Sequence, residues 1–281
     1  MIDLHTHSSA SDGSLTPCQL INEAAHRRLS AIALTDHDTI DGLDDARKEA
    51  ENLGIRFIPG IEIEITWEPG EFHLLGLGLW HPHALFLQAI AELSRLREKR
   101  NLEILDRMHE LSIDADYTEI LALSGGHSVG RPHFAALLVN RGIVKNREQA
   151  FFQYLGKGKP LYVPKEGLEF EQAVEIIQKS GGIAVLAHPM SLYVAWGHLP
   201  ELVKNLQDQG LDGIEAWHPT AKVRSCKRLE ELGKSLGLYI TAGSDFHGAS
   251  RLDRKLGITA GDRKIGDAVL ESIDPLAKYW Q

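Results

Sequence analysis

Residues 31–38 read Ala-Ile-Ala-Leu-Thr-Asp-His-Asp. A short apolar run of this length, bounded by polar residues, predicts a buried strand, and it runs directly into a cluster centred on His37. The same pattern recurs along the chain. Ile2-Asp3-Leu4 runs into His5-Thr6-His7, with Asp12 close behind, and the stretch Arg56–Ile65 carries Glu62. Ile183–Ala187 runs into His188-Pro189, and the run ending at Ala242 is followed by Ser244-Asp245-Phe246-His247. Side chains able to hold a hard divalent cation therefore sit in or just past strand-like segments. That is the rim on which parallel α/β barrels build their active sites.

Working outward, strands are predicted over Ile2–Leu4, Ala31–Thr35, Arg56–Ile65, Phe72–Leu79, Ile183–Ala187, Gly213–Trp217 and Leu238–Ala242. Helical patterns fill most of the gaps: Thr16–Arg28 with Pro17 at its first turn, Gly42–Leu53 ending at Gly54, Glu169–Ser180, Leu199–Gln209 and Ala221–Leu236. Such alternation predicts an α/β protein built as a barrel or a strongly twisted layer. One pair departs from it. The segments IEIEITW and FHLLGLGLW are separated only by Glu68-Pro69-Gly70-Glu71, which predicts an antiparallel hairpin. His73 then reaches the same rim beside Glu62, although it begins its strand.

From 82 to 165 the strand signal disappears and helical patterns take over: Ala84–Leu111, Tyr117–Ser124, Arg131–Arg141 and Arg147–Leu155. This predicts a mainly helical insertion covering the site, with a discontinuous barrel of 1–81 and 166–281. The basic run RLREKR in its first helix reads as a solvated face. The segment Gly125–His133 is a glycine-rich helix entry bearing His127, Arg131 and His133, where backbone N–H groups and the helix dipole favour an anion.

With 281 residues and 43% hydrophobic content, the chain can bury a large core as one folding unit with an elaboration. A net charge of −9 argues against a surface for duplex DNA. Between Ile120 and Lys165, however, seven basic residues face one acid, Glu148. The picture is an acidic, metal-holding body with a basic segment suited to an anionic substrate. Cys18 and Cys226 stand alone and predict ordinary reduced thiols rather than a disulfide or thiolate zinc. Met1 runs straight into a strand without an apolar leader, and no apolar run approaches membrane-spanning length, so the expectation is a soluble, cytoplasmic protein with no membrane contact.

Nine candidate ligands result: His5, His7, Asp12, His37, Glu62, His73, His188, Asp245 and His247. Imidazole and carboxylate are ligands for manganese, zinc and iron, whereas structural zinc sites are usually closed, four-coordinate and rich in sulfur. Nine nitrogen and oxygen donors exceed what one or two ions need and leave positions open for chemistry. His218, in Ala-Trp-His-Pro, also reaches the rim and is expected to contact substrate or to stand behind a ligand. Asp36 and Asp38 flank His37, either orienting its ring or, for Asp38, capping the next helix.

The motifs DLHTHSSASDGSLTP, ALTDHDTIDG, PGIEIE, HLLGLG, AHP and GSDFH together resemble the polymerase and histidinol phosphatase (PHP) family. The resemblance covers the barrel segments and implies a distorted (β/α)7 barrel, a trinuclear metal centre and phosphoester hydrolysis. The stretch GHSVGRPHFAALLVNRG resembles more particularly the branch of 3′,5′-nucleoside bisphosphate phosphatases and the 5′-to-3′ exoribonuclease RNase AM. By analogy, His5, His7, Glu62 and Asp245 surround a first ion. Glu62 bridges to a second held with His73 and His188, while Asp12, His37 and His247 hold a third. Glu62, His188 and Asp245 are expected to stand nearest the chemistry, and manganese is the expected metal, with zinc or iron as alternatives.

In-line attack on phosphorus is the expected chemistry, by a water whose pKa the clustered cations lower. Arg131, with His133 and His127, is expected to grip a second phosphate, since a guanidinium pairs bidentately with phosphate oxygens. A small nucleotide such as pAp is the expected substrate, with short 5′-phosphorylated RNA as a further one. The competing readings are a histidinol-phosphate phosphatase, for which an acid in place of Arg131 would be the better contact, and a non-catalytic, metal-stabilised module of a larger assembly.

Overall fold

A computed structural model of the protein describes residues 1–124 and 128–277. Its elements in chain order are β1 (Ile2–Asp3), α1 (Pro17–His26), β2 (Ala31–Leu34), α2 (Leu43–Leu53), β3 (Arg56–Ile65), β4 (Phe72–Leu77), α3 (Ala84–Glu110), α4 (Tyr117–Leu123), α5 (Arg131–Asn140), α6 (Arg147–Ala150), α7 (Phe170–Lys179), β5 (Ile183–Leu186), α8 (Leu199–Asp208), β6 (Gly213–Trp217), α9 (Val223–Ser235) and β7 (Tyr239–Ala242). A small ribbon of β8 (Ile258–Thr259) and β9 (Arg263–Lys264) comes next, then α10 (Ala268–Glu271) and α11 (Asp274–Ala277). The chain divides into two compact units, Met1–Ala89 with Gly167–Gln281 and, separately, Ile90–Glu166.

In the first unit, β1 to β7 form one sheet in sequence order. Pairing is parallel except at β4, which runs antiparallel to both β3 and β5. The sheet closes almost completely. Past the ends of β1 and β7, His7 N donates to Phe246 O at 2.9 Å and Asp245 N donates to His5 O at 2.9 Å, around a bridge between Thr6 and Phe246. The strands are apolar on both faces because helices cover the outside of the barrel. Ile32, Leu34, Ile58, Ile61, Ile63, Leu74 and Ile214 are all fully buried.

Local signals set the helix ends. Thr16 caps α1 in a capping box with Gln19, Pro17 follows at the first turn, and α2 stops at Gly54, whose φ of 68° a side chain would strain. The inner faces of these helices place Leu20, Ile21, Ala24, Ala46 and Ala50 against Ile32, Leu34 and Phe57. Truncating Leu20 to alanine there costs about 2–5 kcal/mol.

The second unit has its own apolar core, formed by Ile104, Met108, Ile120, Phe134, Leu137, Leu138, Leu155 and Leu161. Its last helical stretch differs from the single helix expected over Arg147–Leu155: α6 gives way to a π-helical turn, Phe151–Leu155. The β8–β9 ribbon is a further departure from the sequence-based expectation, since two-residue strands carry no periodicity. Among the described residues, no helix is long and apolar enough to cross a membrane.

Candidate metal centre

Strand register decides which side chains share the rim. Glu64 on β3 pairs directly with His73 on β4, and Glu62 lies on the diagonal of the same face. His73 therefore reaches both acids, with Nδ1 2.9 Å from Glu62 Oε1 and Nε2 3.0 Å from Glu64 Oε2. Glu62 Oε1 also lies 2.9 Å from His188 Nε2. Its Oε2 is 3.1 Å from His37 Nδ1, 3.2 Å from His7 Nε2 and 3.3 Å from His5 Nε2. One carboxylate, 1% exposed, thus faces five imidazoles.

The remaining candidates close around it. Asp245 Oδ1 stands 3.2 Å from His7 Nε2 and 3.5 Å from both His5 Nε2 and His247 Nδ1. Asp12 Oδ1 lies 3.0 Å from His247 Nε2 and 4.0 Å from His37 Nε2. Eight of the nine ligand candidates fall into overlapping groups of donor atoms: His5, His7, Glu62 and Asp245; His7, Asp12, His37 and His247; His37, Glu62 and His73. The ninth, His188, joins them through Glu62, and a further group unites His5 with Glu215 and His218.

These atoms aim at common points rather than at one another. Glu62 Oε2, Asp12 Oδ1 and His247 Nε2 are buried with opposite charge or lone pairs nearby, yet none makes a hydrogen bond to a described residue. Ring nitrogens also confront each other, His5 Nε2 to His7 Nε2 at 3.1 Å and His73 Nδ1 to His188 Nε2 at 3.2 Å. Lone pairs converging in this way fit cations between them, so the donor set fits divalent metal.

The electrostatics agree. Burial alone would raise the carboxyls of Glu62, Asp245 and Asp12, but His37 and His73, His247 and His5, and His247 and His37 respectively hold each one well below the usual carboxylate range. Burial would likewise lower His7, but the carboxylates of Asp245 and Glu62, each 3.2 Å from its Nε2, push it up to about 9.

Several supporting residues could not be singled out from the sequence. Glu215 on β6 lies 3.0 Å from His5 Nδ1 and accepts the His188 amide at 2.8 Å, fixing a ligand ring and a ligand backbone together. Asp3 accepts Ser244 N at 2.9 Å, Ser244 Oγ at 2.5 Å and Gly257 N at 2.7 Å, tying the two ends of the barrel. Arg254 reaches Asp245 Oδ2 at 3.3 Å. The signal available for Glu64, Glu215 and Asp3 was a carboxylate inside an apolar strand.

Two expectations are corrected. Asp36 orients no ring: it accepts Ser8 N at 2.8 Å, Ser8 Oγ at 2.6 Å and Ser11 Oγ at 2.5 Å, anchoring the loop that carries Asp12. Asp38 accepts Glu64 N at 2.9 Å, while α2 begins at Gly42 without a side-chain cap.

The backbone is bent to fit. His188 and Asp245 have φ of 26° and 52°, a region that costs a non-glycine residue about 1–3 kcal/mol. Gly243 is needed beside them, because a Cβ there would meet His5 Cβ at 2.2 Å and Glu215 Oε1 at 2.6 Å.

His218 donates or accepts at Thr220 Oγ1 through Nδ1, 2.6 Å away, and faces Asp245 Oδ2 with Nε2 at 3.2 Å. Arg131 and His133 belong to the helical unit. Arg131 opens α5, its guanidinium carbon 5.9 Å from the ring centres of both Phe151 and Tyr162. His133 Nδ1 accepts the Gly130 amide at 2.9 Å and so caps that helix. His127 lies outside the described residues.

The chain is 37% identical over 245 residues to the 5′-3′ exoribonuclease of Haemophilus influenzae, covering 87% of this chain and 89% of that one. It is 35% identical over 266 residues to the 3′,5′-nucleoside bisphosphate phosphatase of Chromobacterium violaceum, covering 92% and 91%. A solved structure from Bifidobacterium adolescentis, classed by prediction as a metal-dependent phosphoesterase, is 27% identical with a TM-score of 0.84, covering 98% of this chain and 96% of that one. The PHP domain matches residues 3–157, which hold six of the nine converging ligands. With that match, and with relatives of this identity along nearly its whole length, the chain belongs to the PHP domain family.

Proposed function

We propose that the protein is a metal-dependent phosphatase that removes the 3′-phosphate from nucleoside 3′,5′-bisphosphates such as pAp, leaving the 5′-monophosphate. The observation that carries this reading is the Glu62 carboxylate, shared by five imidazoles at 2.9–3.3 Å, with Asp245 facing two of them, His5 and His7, and Asp12 a third, His37. Up to three divalent ions, with manganese expected, would be held by His5, His7, Glu62 and Asp245, by Glu62, His73 and His188, and by Asp12, His37 and His247. Bound there, they supply the positive charge that activates a water and neutralises phosphoryl oxygens.

The protein's own groups do the rest. Glu62 keeps two ligand groups at a fixed spacing, and Asp245 joins the first of them while its second oxygen faces His218. His188 is locked by Glu215 behind it and by Ser191 Oγ, 2.8 Å from its Nδ1. Arg131 grips the phosphate that is not cleaved, supported by the nearby rings of Phe151 and Tyr162 and by the basic surroundings of α5. His133 supports this grip by capping the helix. His218 contacts substrate from the rim.

A second reading is favoured by the relatives named as exoribonucleases. Releasing a 5′-mononucleotide from short 5′-phosphorylated RNA breaks the same bond, between the 3′-oxygen and phosphorus, so one site serves both. The small bisphosphate is preferred because a body of net charge −9 offers no long basic track for a polymer. The test is a side-by-side assay of manganese-loaded protein on pAp, a 5′-phosphorylated tetranucleotide and histidinol phosphate. Highest kcat/KM on pAp is expected. Preference for the tetranucleotide would make the exonuclease reading primary, and preference for histidinol phosphate would refute both.

A further inference from the structure

Arg254, in the segment after β7, is only 5% exposed, and as a permanent cation it cannot itself serve as a metal ligand. Its Nη1 stands 3.3 Å from Asp245 Oδ2 and 3.2 Å from His218 Nε2, and its Nε donates to Asp253 Oδ2 at 3.0 Å. Its Nη2 makes no hydrogen bond to a described residue. Asp245 thus divides its oxygens: Oδ1 faces His5, His7 and His247, and Oδ2 faces His218 and Arg254.

A guanidinium is a permanent cation. Placing one at the edge of a donor set made for divalent cations is unfavourable once those cations enter, because like charges repel strongly where water is excluded. The arrangement becomes favourable when an anion is shared between the ions and the guanidinium. The planar fork matches two oxygens of a phosphoryl group, and the unbonded Nη2 leaves half of that fork available.

Resting on the phosphatase reading, we propose that Arg254 is a substrate-binding residue of the metal centre that holds non-bridging oxygens of the phosphoryl group being cleaved. Arg131 and Arg254 then have different signatures, one for the spectator phosphate and one for the reacting phosphate. The nearby ion pair with Asp253 does not account for the placement, since Asp253 is 71% exposed and such pairs contribute little.

The test uses manganese-loaded wild type, R254K and R254Q. Metal content is measured by elemental analysis, binding of inorganic phosphate by calorimetry, and kcat/KM on both adenosine 3′-monophosphate and pAp. Metal content should be unchanged, phosphate binding at least about tenfold weaker, and kcat/KM lower by about 100-fold on both substrates alike, the usual loss when one preorganised donor to a developing oxyanion is removed. Wild-type phosphate affinity in both variants would overturn the assignment. So would loss of the metal or of the folded state in both, which would make Arg254 a support for Asp245. If the wild type neither binds phosphate nor hydrolyses either ester, the phosphatase reading itself fails and the assignment falls with it.

Discussion

Replacing Arg131 with alanine separates the two phosphates of the proposed substrate. The side chain is half-buried at the start of α5, with Phe151 and Tyr162 each 5.9 Å from its guanidinium carbon. With two aromatic rings against it, the side chain loses less rotamer freedom on gripping an anion than a free arginine would. Truncating one member of a desolvated charge pair costs about 2–5 kcal/mol. Partial access to water places Arg131 in the lower part of that range. A loss of about 2–3 kcal/mol is roughly 30- to 150-fold in kcat/KM.

That loss should appear on pAp and be nearly absent on adenosine 3′-monophosphate, which lacks the spectator phosphate. Because remote binding energy also positions the reacting group, part of it should fall on kcat. Arg131→Lys keeps the charge but not the fork and should recover only part of the loss. Steady-state kinetics of wild type and both variants on the two substrates give the double difference. Equal losses on both substrates would assign Arg131 to the cleaved phosphate or to the fold. No loss on either would return the segment to an ordinary helix start.

Glu62→Gln should be the most damaging single ligand substitution, costing about 3–5 kcal/mol of transition-state stabilisation and more than one bound ion per chain by elemental analysis; near-normal turnover would remove Glu62 from its bridging role. Glu215→Gln keeps the shape but removes the anion behind His5, so metal affinity measured against a competing chelator should drop about 10- to 100-fold, and an unchanged affinity would show that His5 needs no such support. In the metal-free protein His7 is raised from 6.5 to about 9 against the opposing effect of burial, by Asp245 and Glu62. Its protonated pairing therefore contributes stability in full below pH 6.5 and loses it as the pH rises through about 9. Metal and proton compete for that ring, so binding near neutral pH should release a proton and tighten as the pH approaches 9. Calorimetry in two buffers of different ionisation heat measures the release, and none would contradict the assignment of His7 as a ligand.

The barrel was legible because its punctuation is chemical as well as conformational. Each of His5, His37, His188 and Asp245 stands one to three residues beyond a short apolar strand, so strand ends and ligands announce one another. The hairpin of β3 and β4 was equally legible from its four-residue connection, although only the register shows that His73 faces Glu64 directly and Glu62 across the diagonal. Arg254 was illegible for a physical reason. It lies in Arg251-Leu252-Asp253-Arg254-Lys255, a charge run that reads as solvated surface, and only the turn of the chain after β7 carries one of its cations inward. Asp36 misled because adjacency in sequence suggested contact with His37, whereas successive residues point to opposite sides and its carboxylate meets Ser8 and Ser11 instead.

The seam that closes the barrel also sets a clock on the protein's synthesis. Ser244 reaches back to Asp3 across 241 residues, and the same meeting brings Asp245 and His247 to His5 and His7. In a nascent chain His5 and His7 emerge long before their partners Asp245 and His247. Early capture of a metal by the leading segment would therefore be loose and reversible, and firm capture must await translation of the 245–247 segment. A message cut short before that point yields a chain with most of its ligands and no seam to lock them. Metal retention thus reports that translation has passed His247, which distinguishes a chain carrying the seam from one cut short before it.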